Sequence, residues 1–357
     1  MGYSEILNET LEKIVPLNKE RMENKQKELN SLLKTPDGLG KLEKLAVQLE
    51  GIKENYSPEK KVVTVMAADN GVERENVSKS KRVITQYVVE AMLKGKSSIN
   101  ALGNTFGSDV KVVDLGIDEK TDVKKEIDLT GIINKKIMQE GTDNIAEGPA
   151  MSYETALKAI EIGIETVDKF ISEGYNLFAT GEMGIGNTTT SSAVLKVFTD
   201  FPLGDIVGYG SGISDETLEH KKNIVKKAIE VNNRIEKINI KDTVDVLAKV
   251  GGLDIAGMTG VYLGCAKNKV PVVIDGLISS VAALAAYRLC KDVKGYMIPS
   301  HLSEEPGMKY IMKELEIEPF LFMNMKLGEG TGAIMMFPVI EAACNITKTV
   351  RKYPILP

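Results

Sequence analysis

The chain has few of the residues that announce chemistry by themselves. It holds two histidines and three cysteines, and Cys265, Cys290 and Cys344 are widely spaced, odd in number and set in apolar surroundings. That pattern excludes a disulfide framework and predicts reduced, buried thiols. With no CxxC and no Cys/His cluster, no metal site is expected. Neither sign of charge is in large excess. Lys and Arg number 45 against 50 Asp and Glu, a net charge of −5, with Lys and Glu mixed along the sequence, so no broad footprint for a nucleic-acid backbone exists. Long apolar runs are also missing. None approaches the roughly 18 to 20 residues a membrane span needs, and the polar, amphipathic start MGYSEILNETLEK has no apolar signal core. The expectation is a cytoplasmic protein with neither a membrane nor a nucleic acid as partner.

What is present is enough apolar residue, 43% of 357, to bury a sizeable core. One large α/β domain with a smaller attached part is the default. Ile6, Leu7, Leu11, Ile14 and Val15, then Leu29, Leu32 and Leu33, recur at helical spacing and predict helices that pack on something else. From residue 61 the pattern changes. KVVTVMAAD (61–69), VKVVDLGI (110–117), YNLFATGE (175–182) and VPVVIDG (270–276) look like buried parallel strands, each followed by a helical pattern or a glycine-bearing turn. The alternation predicts a mostly parallel sheet with helices on both faces. Ligands collect at the carboxyl ends of such strands, where this sequence places AADNG, GEMGIGNTT, VIDG and LGEGTG. The lysine-rich stretch from Asp118 to Lys136 reads as a solvated surface excursion.

GEMGIGNTT (181–189) opens a helix directly after a strand. Its glycines allow a tight turn, Asn187 and Thr188 are placed to cap the helix, and free helix amides with threonine hydroxyls suit a phosphate. It is neither GxxxxGK[ST] nor GxGxxG. Glu182 stands there as an acid that would repel phosphate unless it served another part of the ligand. In LGEGTGA (327–333), Gly328 and Gly330 flank Glu329 and leave its carboxylate unshielded, which suits a general base; a first-turn acid complementing a helix dipole is the alternative. KTPDGLGKLE (34–43) reads as an interhelix turn, and DNGV (69–72) as a type I′ turn or a site loop. His301, in SHLSEEPG, receives no role.

Taken in order, LLKTPDGLGKLE, VMAADNGV, VVDLGID, GTDNIAEGPAMS, GEMGIGNTT, VPVVIDGLISS, YMIPSHLSEEPG and MKLGEGTGAIMMFP resemble the nicotinate-nucleotide:dimethylbenzimidazole phosphoribosyltransferase family, from about residue 30 to 345. The resemblance implies a Rossmann-like six-stranded parallel sheet in a large domain (56–334), and a smaller helical domain built from both chain ends (1–55 and 335–357). It implies a homodimer, or a heterodimer with a paralog. It implies transfer of the phosphoribosyl group of nicotinate mononucleotide to an aromatic base in cobamide assembly, without metal or cofactor. By similarity Glu329 is the general base and Glu182 the second catalytic acid. Gly184, Gly186, Asn187, Thr188, Lys221, Gly328 and Gly330 hold the ribotide and its phosphate, while Ser80, Gln86, Val88 and Leu327 form the acceptor pocket. The chain departs from the family's usual residues at Asp37, Gly38, Asn70, Lys81 and Val88, mostly on the acceptor side. A branch acting on phenol or p-cresol as one of two paralogous subunits is the alternative reading, and a non-catalytic paralog the third.

Overall fold

A computed structural model describes residues 2–120 and 127–354, so the centre of the lysine-rich stretch, 121–126, and the last three residues of the expected small domain lie outside the described residues. The chain begins with α1 (Glu5–Lys13), α2 (Lys19–Asn30) and α3 (Lys41–Ile52), then enters β1 (Lys61–Ala68). There follow α4 (Ile84–Leu93), α5 (Ser98–Phe106), β2 (Ser108–Gly116), β3 (Ile133–Asn134), α6 (Tyr153–Ser172), β4 (Leu177–Met183), α7 (Asn187–Phe198) and α8 (Leu203–Ile206). The last part runs α9 (Asp215–Ile235), α10 (Thr243–Val250), α11 (Leu253–Lys267), β5 (Val272–Ile274), α12 (Leu277–Leu289), β6 (Met297–Pro299), α13 (Met308–Glu314), α14 (Thr331–Ile334) and α15 (Phe337–Thr349).

The six strands form one sheet in the order β3-β2-β1-β4-β5-β6, every pair parallel. Strand pleating sends alternate residues of β1 to opposite cores. Val62 and Met66 join one core with Phe178, Val272 and residues of α6, α7, α10, α11 and α12. Val63 and Val65 join the other with Ala179, Val273 and residues of α4, α5, α14 and α15. Because both faces are covered, these strands read as continuous apolar runs. The expected α/β sheet with helices on both faces is the observed one.

Some local expectations are corrected. The helices foreseen from the first apolar positions stop early: Ile14 and Val15 lie beyond α1 and Leu32 and Leu33 beyond α2, with Val15 and Leu33 exposed. Lys136 is not solvated; its ammonium is buried against Asp114 at 3.3 Å and Glu119, just after the edge strand β3. Of the cysteines, only Cys265 is fully buried, and all three are free.

We propose the division at residues 56 and 335 as an organisational one. Leu29, Leu45, Leu49, Ile340 and Ala343 bring α2, α3 and α15 together, while α1 places Leu7 in the core that contains α6 and α11. Among the described residues no helix is long and apolar enough to cross a membrane.

Candidate active site

The parallel register sets Glu182 beside Met66 at the carboxyl end of β4, one residue before the strand ends. The chain then turns through Gly184 and Gly186 into α7. A Cβ on Gly184 would lie 1.9 Å from the carbonyl oxygen of Ala68, so only glycine lets the turn pass over the end of β1. Gly186, not Asn187, is the N-cap of α7, with φ +96° and no side-chain cap. The capping expected of Asn187 and Thr188 is therefore wrong. Asn187 is drawn instead between two buried acids, its Nδ2 donating to Glu182 Oε2 and, at 3.1 Å, to Asp254 Oδ2. Thr188 Oγ1 accepts from Lys221 Nζ at 2.8 Å.

A second segment, 326–330, folds over the same strand end. Gly328, Glu329 and Gly330 have φ of +83°, +61° and +84°. Glu329 precedes the N-cap of α14, so it is not the first-turn acid of that helix. Its backbone N–H donates to Glu182 Oε1 at 3.3 Å, and a Cβ on Gly328 would lie 2.4 Å from the same oxygen. The two acids singled out in the sequence are thus in contact through one backbone turn.

Both carboxyls hold protons more tightly than ordinary ones. Burial pushes Glu182 up to about 8, with the charge of Asp254 adding to it, and Asp254 itself rises to about 6 by burial. Burial, then the charge of Asp275, raises Glu329 to about 7. Lys221 moves the other way. Only 1% exposed, it also donates to the Gly208 carbonyl at 3.1 Å, and burial lowers it to about 8 against the opposing charge of Glu305.

These groups surround a cleft of about 260 Å³. Glu182, Glu329, Gly184, Gly186, Asn187, Thr188 and Gly328 line it, and so do Ser80, Val88 and Leu327. Lys221 stands directly behind Thr188, and Gly330 behind Glu329, where its N–H donates to Asp275. Gln86 is not brought to the cleft. It is buried on the inner side of α4 and donates to the Asp118 carbonyl, because two helical steps rotate it away from the face shared by Ile84 and Val88. Val77, Ile84, Val88, Met183 and Ile185 give the cleft an apolar part.

Sequence reasoning missed Asp254, which pairs with Glu182 through Asn187. Asn70, noted only as a departure from the family, accepts through Oδ1 from Thr190 at 3.2 Å. DNGV is not a type I′ turn, since Asn70 is extended, with φ −113°. It also missed Ser303 and Glu305, which line the cleft; Glu305 Oε1 accepts from Gly210 N at 2.8 Å. The available signal was position alone, acids and hydroxyls just beyond strand ends. Among the described residues no group of three or more His, Cys, Asp or Glu is placed to hold a metal ion.

A phosphoribosyltransferase family model matches residues 14–353. The nicotinate-nucleotide–dimethylbenzimidazole phosphoribosyltransferase of Clostridium tetani is 47% identical over 340 residues, covering 95% of this chain and 91% of that one. Its namesake in Acetivibrio thermocellus is 45% identical over 347 residues, covering 97% and 96%. A crystal structure of CobT from Thermus thermophilus superposes with a TM-score of 0.85 at 31% identity, covering 92% of this chain and 96% of that one. Sequence and fold agree over nearly the whole length, and the chain belongs to the nicotinate-nucleotide:dimethylbenzimidazole phosphoribosyltransferase family.

Proposed function

We propose that the chain transfers the phosphoribosyl group of nicotinate mononucleotide to 5,6-dimethylbenzimidazole or a close relative, releasing nicotinate and giving an α-ribotide for cobamide assembly. The observation that carries this reading is one cleft holding Glu329 and Glu182 against one wall and Thr188, backed by Lys221, against another.

The donor already carries a pyridinium at C1, so the enzyme has to hold the sugar phosphate and activate the incoming base. Lys221 and the amides at the start of α7 take the phosphate. The azole nitrogen attacks C1, the C1–pyridinium bond breaks, and its electron pair returns to the nicotinate ring. The azole proton passes to Glu329, whose raised proton affinity matches a base working near neutrality. A pyridinium beside Glu182 lowers that residue's proton affinity, so the carboxyl that is neutral in the empty site becomes a carboxylate facing the oxocarbenium-like sugar. The apolar wall of Val77, Ile84, Val88 and Met183 suits the benzo ring of the acceptor.

The cytoplasmic location and the homodimer belong to the same proposal. Leu327 and Ile84 at the cleft, with Phe322 and Met323 in the segment leading to it, are exposed apolar side chains of the kind an interface covers.

The test supplies purified chain with nicotinate mononucleotide and, in parallel, dimethylbenzimidazole, adenine, phenol or p-cresol. An N-linked benzimidazole ribotide is expected, and Glu329→Gln should cut its rate of formation by about a hundredfold or more while donor binding persists. An O-linked phenolic product as the sole product, or full activity in Glu329→Gln, would overturn the reading.

A further inference from the structure

Glu329 has an unusual backbone. A non-glycine residue at φ +61° between two glycines in the same left-handed region is strained and persists only where its surroundings fix it. The residues that follow it are fixed by one side chain. Asp275, at the carboxyl end of β5 and 1% exposed, accepts from Gly330 N at 3.0 Å through Oδ2, and from Gly332 N at 2.8 Å and Ala333 N at 2.9 Å through Oδ1. These are three of the free N–H groups that open α14.

Asp275 is itself held from behind. Its own N–H donates to Ser279 Oγ at 2.8 Å, and Ser279 Oγ lies 2.7 Å from both Tyr262 Oη and Thr180 Oγ1. A buried hydroxyl cluster in the sheet interior therefore connects through Asp275 to the turn that aims Glu329. His301, which the sequence left without a role, closes the other side: a Cβ on Gly332 would lie 2.0 Å from its Nδ1.

We propose that Asp275 is the positioning residue for Glu329, holding its carboxylate in the attacking geometry through the 330–333 turn and supplying the negative charge behind it. This rests on the reading of Glu329 as the base. Asp275 touches no substrate position; it acts through Glu329. The titratable groups around Glu329 are Glu182 at the end of β4 with Asp254 behind it, Asp275 at the end of β5, His301 after β6, and Lys326 in its own segment. Burial keeps His301 on the neutral side, so it does not cancel Asp275. The charge of Asp275 raises the proton affinity of both Glu329 and Glu182.

The experiment compares wild type, Asp275→Asn, Ser279→Ala and Glu329→Gln in steady-state kinetics against pH, with donor affinity from calorimetry. Asp275→Asn should lower kcat by roughly ten- to a hundredfold, leave the donor Kd within about twofold, and move the acidic limb of kcat/KM to lower pH. Ser279→Ala keeps the charge, so kcat should fall by a smaller factor with the limb in place. A structural cap alone would lower stability without moving that limb. Wild-type kcat and limb in Asp275→Asn, beside an inactive Glu329→Gln, sinks the positioning role and leaves the base standing. Activity in Glu329→Gln sinks the base itself. Should Asp275→Asn not fold, Ser279→Ala decides, and an undiminished kcat there overturns the proposal.

Discussion

Replacing Lys221 by methionine keeps most of the volume of a 1%-exposed side chain while removing its charge. A phosphate oxygen about 4 Å from an ammonium gains about 4 kcal/mol at an effective dielectric of about 20. The lysine is already out of water, held by Thr188 Oγ1 and the Gly208 carbonyl, so most of its desolvation is complete before the ligand arrives. The phosphate still has to lose its own water, which leaves about 2 to 3 kcal/mol, or roughly 30- to 150-fold in donor affinity. The pH dependence makes the test specific. Burial brings Lys221 down to about 8, so in the empty site its cation is lost as pH rises through that value. The bound phosphate restores it. Above pH 7 the phosphate is already a dianion and contributes no slope of its own. Calorimetric titration of nicotinate mononucleotide between pH 7 and about 9.5 should therefore show the ratio of wild-type to Lys221→Met affinity falling toward one, while the proton that donor binding releases from Glu182 below about pH 8 slopes both profiles alike. Parallel pH profiles for the two proteins, or a loss confined to kcat, would refute the phosphate assignment.

Two further outcomes follow from the packing and the acids. Gly260→Ala would place a Cβ 1.9 Å from the Ile160 carbonyl oxygen at the α6–α11 crossing, so two helices must separate, at a cost of about 3 kcal/mol or more. Thermal unfolding several degrees lower is expected, and an unchanged midpoint would contradict this close approach. Glu182 keeps its proton in the folded empty enzyme up to about pH 8 but loses it near its ordinary 4.5 when unfolded. The native state thus binds more protons between those values, stability falls as pH rises across that window, and Glu182→Gln should flatten the slope of melting midpoint against pH. Equal slopes in both proteins would mean that Glu182 is ionised in the empty site.

The strands the sequence revealed are those whose own residues fill both cores. β1, β2 and β4, each seven to nine residues long, were legible within about two residues because burial on both faces, over nearly all of β1, all of β4 and the last five residues of β2, leaves a mostly apolar run. β5, three residues long, was also read, inside VPVVIDG; β3, with two residues, and β6, which ends in Pro299 and is extended beside β5, were not. Their pairing comes from neighbours, and no local pattern encodes it. The same reason explains Gln86. Read as a linear neighbour of Val88 it belongs to the cleft, but α4 turns about 100° per residue, so Ile84 and Val88 share a face that Gln86 does not.

For the site, residue type was legible and partnership was not. Acids and glycines after strand ends mark where a ligand collects in such a sheet, and Glu182 and Glu329 were found that way. What makes them useful lies in contacts between segments far apart in sequence: Asn187 between Glu182 and Asp254, and Asp275 beneath the Glu329 turn. Neither Asp254 nor Asp275 has a local signature stronger than that of any acid at a strand or helix end. Their charges add to the effect of burial, Asp254 and Asp275 on Glu182 and Asp275 on Glu329, and raise the proton affinity of both. The departures at Asn70 and Val88 can be separated on this basis. Asn70 sits within the buried acid network, through Thr190 and the Asp254 side of the cleft, so a change there alters the electrostatics of every acceptor's reaction. Val88 contributes only apolar surface to the cleft, so under the proposed function a change there should discriminate among bases and leave the proton chemistry as it was.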